Sequence, residues 1–347
     1  MSSHPKLLPP RHWIRGGLLA ILLMTSCQAP PDVAKSPVTS APPPQATTRE
    51  RFPTELPPAT DTPDPTPTEF IAATSTPGTP PSPPQDAERG DTWQSPLDQM
   101  TLVFVPAGSF RMGTLADFVA AQPDELPQRS VELTDYWIDQ TEITWEMYTR
   151  CERDGGCRAI SEGKPSWAGE DHPVIMVGWQ DAADYCRWAG RRLPTEAEWE
   201  KASRGTDGRR YPWEWIGAPI SRGEVRLNFC DASCPYAFRT DVIEDGYPRT
   251  APVGSYPAGA SPYGALDMSG NVWEWTADWY AADRYKDSSA DLSQGPEEGS
   301  VRVIRGGSWL ETAWEGVVIT SRSANRHWSN PNFSRPDLGF RCALSAD

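Results

Sequence analysis

Histidine is scarce in this 347-residue chain. Of four histidines only His172 and His327 lie beyond position 12, so a three-histidine metal centre cannot be built. Positive charge is short as well. There are 32 Lys and Arg against 47 Asp and Glu, a formal net charge of −15, which argues against nucleic acid or an anionic membrane surface as the main partner. The apolar run Gly17–Met24 is too short to span a membrane comfortably. No CxxC pair occurs among the seven cysteines, which disfavours a structural zinc site.

What the N-terminus does have is the order of an export signal. Lys6, Arg11 and Arg15 precede the apolar run, and Met24-Thr25-Ser26-Cys27 follows it. An apolar residue, two small residues and a cysteine resemble a bacterial lipobox. Residues 1–26 then form a lipoprotein signal, and lipidated Cys27 anchors the chain to a membrane on the extracytoplasmic side. The alternative is an ordinary cleaved signal with an incidental cysteine. Residues 27–92 are rich in Pro, Thr and Ser, and the stretch from Gln28 to Arg89 holds 17 of the 37 prolines. Such a segment cannot bury enough surface to offset its ordering entropy. It reads as a semi-rigid stalk with a reach on the order of 100 Å.

From residue 93 to 347 the composition is that of an ordered, loop-rich domain, and 15 of the 16 tryptophans lie there. Leu102–Pro106 and Ser109–Gly113 suggest a strand, a turn and a second strand. Val131–Ile138 reads as one strand, Trp145–Cys151 as a short helix, and Val174–Trp179 as a strand-like run. Asp181–Trp188 has helical spacing and stops at Gly190. Thr195 with Glu198 is a capping box that starts a helix running to about Ser203. After Gly205 little regular structure is expected until a strand at Val301–Ile304.

Without Cys27 six cysteines are left, and an even count in an exported chain favours three disulfides. Cys151 with Cys157 and Cys230 with Cys234 are close enough for small loops. Cys186 and Cys342 form the third pair. The chain's densest motif is Gly264–Tyr280, which sets Trp273, Trp275 and Trp279 among Asp267 and Glu274. Buried carboxylates need a partner or a metal, so the stretch reads as a rigid aromatic loop around a cation or an ion pair.

Taken together, FVPAGSFRMG at 104–113, YWIDQTEIT at 136–144, HPVIMVGWQDAADYCRWAGRRLPTEAEWEKASRG at 172–205, GALDMSGNVWEWTADWY at 264–280, RVIRGGSW at 302–309 and LGFRC at 338–342 resemble the formylglycine-generating enzyme, or sulfatase-modifying factor, family. The resemblance implies an α+β fold: a loop-rich variant of the C-type lectin fold, with short helices and small antiparallel sheets. It implies two structural calcium ions. One would take Asn228, Asp245 and the carbonyls of Phe229 and Tyr247. The other would take Asp267, Glu274 and the carbonyls of Gly270 and Val272. Six to eight hard oxygens of this kind suit Ca²⁺. For Asp267 and Glu274 the alternative is an ion pair or an N–H-capping role. The family also carries a disulfide matching Cys186–Cys342. A second family disulfide would fall on Ser203 and about Ser321, both serines here.

The family's oxidases bind Cu(I) through two cysteines five residues apart, after the Gly-Gly-Ser motif. In this chain those positions are Glu311 and Gly316. Trp273 and Ser308 match groove positions and are retained. No copper is therefore expected, nor any catalytic residue of the known oxidase. Arg322, Arg326, His327 and Arg335 border the expected groove, where Arg forks and aromatic planes suit a peptide, protein or glycan ligand. The competing reading pairs these arginines with surrounding acids. The expectation is a monomeric, membrane-anchored binding module without oxidase activity. The alternative is an active modifying enzyme, an oxidoreductase using the same groove.

Overall fold

The structure, a computed structural model, describes residues 82–346 except 117, 119, 214–219, 222–223, 242, 312–316 and 318. The expected signal segment, Cys27, stalk residues 28–81 and Gly316 lie outside the described residues. Among the described residues no helix is long and apolar enough to cross a membrane.

Short helices and small sheets carry the domain. In chain order the strands are β1 (Thr92–Gln94), β2 (Thr101–Val105), β3 (Gly108–Met112), β4 (Arg129–Leu133), β5 (Tyr136–Asp139), β6 (Ile220–Ser221), β7 (Glu224–Val225), β8 (Trp273–Trp279), β9 (Arg302–Arg305), β10 (His327–Ser329), β11 (Leu338–Phe340) and β12 (Ala343–Ser345). The helices are α1 (Trp145–Arg153), α2 (Trp179–Trp188) and α3 (Glu196–Arg204). One sheet has the order β1-β2-β5-β12, and its pairings are antiparallel. A second has the order β10-β9-β8-β11, in which β8 and β11 run parallel. β3 with β4, and β6 with β7, form two-stranded ribbons.

Local chemistry explains the helix starts. Thr144 accepts the Met147 N–H ahead of α1. The Asp181 carboxylate reaches back to the Gly178 N–H at 2.9 Å and caps α2. The Thr195–Glu198 box closes at both ends, and Gly205 ends α3 at a φ of 68°.

Three expectations are corrected. Val131–Ile138 is two strands, because the chain turns at Thr134–Asp135 so that β4 pairs with β3 and β5 with β2. Val174–Trp179 is not a strand. Met176 takes a φ of 63°, which breaks the extended run, although Val174, Ile175 and Val177 are buried. The aromatic loop at 264–280 is a loop only in its first half, since its second half is β8. Trp-Glu-Trp-Thr-Ala-Asp-Trp alternates with period two, and residues of both faces are buried. The polar residues of β8 thus have buried partners rather than water.

All three expected disulfides are present: Cys151–Cys157, Cys186–Cys342 and Cys230–Cys234. Such bridges suit an oxidising, extracytoplasmic setting. The Cys186–Cys342 bridge joins α2 to the entry of β12 across a sequence separation of 156. A loop that long is worth roughly 4–5 kcal/mol on the chain-entropy model. Ser203 hydrogen-bonds Ser323, at 2.7 Å between hydroxyls, so its partner is Ser323 rather than Ser321.

Asp278, on the inward polar face of β8, accepts the Glu196 N–H at 2.5 Å. Burial first, and then the charges of Glu196 and Glu198, push its carboxyl up from 3.8 to about 7, with Arg302 the cation that faces it. A raised carboxyl stabilises the fold below about pH 4 and loses that contribution as pH climbs to about 7. Asp278→Asn should therefore lose less melting temperature than the wild type between those two pH values. Parallel curves in a pH series of thermal melts would rule this role out.

Candidate functional site

The turn after β9 is made by Gly306 and Gly307, with φ of 104° and 78°. It places Ser308 and Glu311 against the start of β8. The Trp273 indole N–H donates to a Glu311 carboxylate oxygen at 3.2 Å. The Ser308 hydroxyl donates to Asp337 at 3.2 Å and accepts the Leu310 N–H at 3.2 Å. The three expected groove positions therefore form one cluster. Asp337 completes it, held by Arg335 at 2.9 and 2.6 Å, and the sequence reading passed over it. Its signal was the Arg-Pro-Asp directly before the Leu-Gly-Phe-Arg-Cys motif. Burial pushes the Glu311 carboxyl up. The Trp273 N–H and Thr320 oppose that shift, and the charge of Asp337 adds to it.

Aromatic side chains rim this cluster. His327, on β10, lies with its ring 5.3 Å from that of Trp273 and is exposed, as is Trp328. Beyond the Cys230–Cys234 bridge, Tyr236 and Phe238 stack at 5.1 Å, both exposed. Tyr236 reaches Trp309 at 6.0 Å. A cavity of about 470 Å³ opens beside the cluster, lined by Asp124, Tyr280, Thr320, Arg326, His327 and Trp328.

Two of the arginines expected to serve a ligand are committed elsewhere. Arg322 is buried and bonds both oxygens of Glu125 at 2.7 Å. Arg326 bonds both oxygens of Glu196 at 2.7 and 3.0 Å, and its Nη1 donates to the Asp124 carbonyl. Each pairing crosses well over a hundred residues of chain, which is why the sequence left it open. Of the four groove candidates, Arg335 and His327 stay near the surface.

The two neighbourhoods expected to hold calcium are adjacent. Gly270 lies with its Cα against the Asn228 carbonyl, where a Cβ would come within 2.3 Å of that oxygen. At the first, Asn228 is buried and its Oδ1 has no donor. Asp245 accepts the N–H groups of Phe229 and Tyr247 at 2.7 and 2.8 Å. Burial lifts its carboxyl from 3.8 to about 8. The Asn228 amide nitrogen donates to Asp245 at 3.2 Å, and the orphaned amide oxygen, with this carboxyl and the neighbouring carbonyls, is of the hard-oxygen type that suits such a cation. At the second, Glu274 is bonded by Arg341 at 2.7 Å on both oxygens and by the Trp199 indole N–H at 2.8 Å. Asp267 accepts the Gly254 N–H at 2.6 Å. Glu142 is fully buried nearby, and burial pushes its carboxyl above the usual range.

The six described cysteines are consumed by the three disulfides, so none of them offers a thiolate to a soft metal ion.

Residues 89–346 match the family described as the sulfatase-modifying factor enzyme 1-like domain. The formylglycine-generating enzyme of Streptomyces coelicolor is 40% identical over 241 residues, 68% of this chain and 70% of the relative. A mouse protein named inactive C-alpha-formylglycine-generating enzyme 2 is 39% identical over 175 residues, 50% of this chain and 49% of that protein. Among solved structures, PvdO from Pseudomonas aeruginosa superposes with a TM-score of 0.60 at 29% identity, covering 75% of this chain and 99% of the other.

The Glu125–Arg322 pair makes Arg322 a structural residue. Arg322→Ala leaves a buried carboxylate unpaired and should cost about 3–5 kcal/mol in chemical denaturation. A loss below about 1 kcal/mol, the level of an exposed ion pair, would return Arg322 to the groove.

Proposed function

Since the chain belongs to the sulfatase-modifying-factor family, we propose that it is a membrane-anchored, extracytoplasmic member that uses the family groove to bind a peptide or glycan chain without oxidising cysteine. The observation that carries this reading is Glu311, hydrogen-bonded to Trp273 where the oxidases of the family place their first copper thiolate. A carboxylate there is a hard oxygen donor and a poor ligand for Cu(I). With every cysteine from Cys151 to Cys342 in a disulfide, no other thiol in the domain replaces it. A relative bearing the word inactive in its name supports the idea that the fold is kept without the reaction. The exposed Trp328, Tyr236 and Phe238 supply flat apolar faces beside a polar floor, an arrangement that suits a chain-like ligand. Cys27 would supply the lipid anchor and the stalk the distance from the membrane.

We assign calcium a structural role in this reading. Asn228, Asp245 and the carbonyls of Phe229 and Tyr247 would hold one ion, and a second would lie at Asp267. Each ion would neutralise buried carboxylate and tie together loops that have little secondary structure of their own.

Incubation with a cysteine-containing sulfatase-motif peptide, copper and oxygen should leave the peptide mass unchanged. Conversion of its cysteine to formylglycine, read by mass spectrometry, would overturn the non-oxidase reading. Separately, EDTA should lower the melting temperature by several degrees, because an ion at 100 times its dissociation constant contributes about 2.7 kcal/mol. Identical melts with and without chelator would remove calcium from the account.

A further inference from the structure

The chain enters the described domain along an apolar cavity of about 450 Å³. No described residue lines both this cavity and the one beside Glu311. Its walls include Trp93 on β1, Leu97 just beyond it, Trp188 at the end of α2 and Leu344 on β12. Leu97 is 41% exposed, and the two tryptophans are half-buried. Among the described residues neither indole N–H has an acceptor. Ser82 and Pro83 lie at the same cavity. Pro83 is half-buried, whereas Ser82 and Pro84 on either side of it are exposed. Just downstream, Ala87 packs against the core and Arg89 donates to the Pro262 carbonyl at 3.2 and 3.0 Å. The path by which the chain leaves the domain is thereby fixed.

The sequence upstream of that exit has a matching period. It reads Pro77-Gly78-Thr79-Pro80-Pro81-Ser82-Pro83. A polyproline II helix has three residues per turn, so Pro77, Pro80 and Pro83 would share one face of it. Pro83 is the ring already at the cavity, and one turn of about 9 Å brings Pro80 next. Such a segment is stiff before it binds and loses little entropy on docking. Its carbonyls make no internal hydrogen bonds, which suits indole N–H donors that lack a partner. Aromatic-lined grooves take proline-rich chains in this way. The segment also carries no charge, in keeping with apolar walls.

We propose that the cavity walled by Trp93 and Trp188 is a seat for the chain's own Pro77–Pro83, docked as a polyproline II turn with Pro80 against the indoles. The stalk is then more than a spacer, because its last turn is a strap on the domain. The occupant is this segment rather than a foreign peptide because Ser82 and Pro83 deliver it to the cavity covalently. A short tether of that kind gives an effective concentration in the millimolar range.

The test uses the full-length chain, with a synthetic peptide of residues 74–84 as titrant in calorimetry. Pro77→Gly with Pro80→Gly changes the stalk alone and should empty the seat. That double variant should bind the peptide about tenfold more tightly than the wild type, in which the tethered segment competes. Backbone amides from Trp93 to Leu97 and from Trp188 to Gly190 should exchange several-fold faster in it. Adding Leu97→Ala, at an exposed position, should weaken the peptide several-fold. Equal affinity for wild type and double variant, or no binding to either, would overturn the proposal. An affinity indifferent to Leu97→Ala would place the peptide elsewhere and overturn it too. Sedimentation should show a monomer. A dimer that dissociates in the double variant would give the seat to the stalk of a second copy and overturn the assignment to the chain's own segment.

Discussion

A charged helix buried on every side is the constraint from which the rest of the domain follows. All nine residues of α3, Glu196–Arg204, are buried, and five of them carry charge. Taking such groups out of water costs several kcal/mol each unless every one is matched. The matches come from across the chain. Glu196 holds Arg326, Glu198 holds Arg192, and Glu200 holds both Arg204 and Arg305. Lys201 donates to the carbonyls of Pro106 and Gly108 at 2.7 and 2.8 Å. Arg305 and Tyr285 face the same cluster, and Arg326 stacks 4.4 Å over the Tyr285 ring. Each α3 charge is matched by partners from other segments, so those segments are held around the helix together.

That demand shapes the groove. Arg305, Arg326 and Arg341 come from the last fifty residues, and each is drawn inward to a glutamate. Of the residues between them, His327 and Trp328 on β10 face outward, while Ser308 and Glu311 after the Gly-Gly turn form the less exposed floor of the groove. β8 serves the two halves at once. Its tryptophans pack the core and reach the groove, while Glu274 and Asp278 on the other face enter the buried ionic layer.

Features that act within a few residues were readable in the chain. The Thr195–Glu198 capping box, the stop at Gly190 and the two short-loop disulfides each need only neighbouring atoms. The family motifs were readable because they recur in order over residues 100–343. β8 was missed although its period-two pattern is plain, because acids at alternate positions look solvent-facing until their partners are known. The break at Met176 was equally hidden, since nothing in an apolar run marks a residue in the left-handed region.

The sequence by itself therefore determined the family, the disulfide pairs and the capped start of α3. These are covalent, local or positional facts. Only the tertiary structure decided which acids meet cations. Glu125 and Arg322 are 197 residues apart, and Glu196 and Arg326 are 130 apart. It moved two arginines, Arg322 and Arg326, from the expected groove into buried ion pairs. Electrostatic pairing in a buried layer depends on distances of a few ångströms. Separation along the chain says nothing about those distances until the fold has closed.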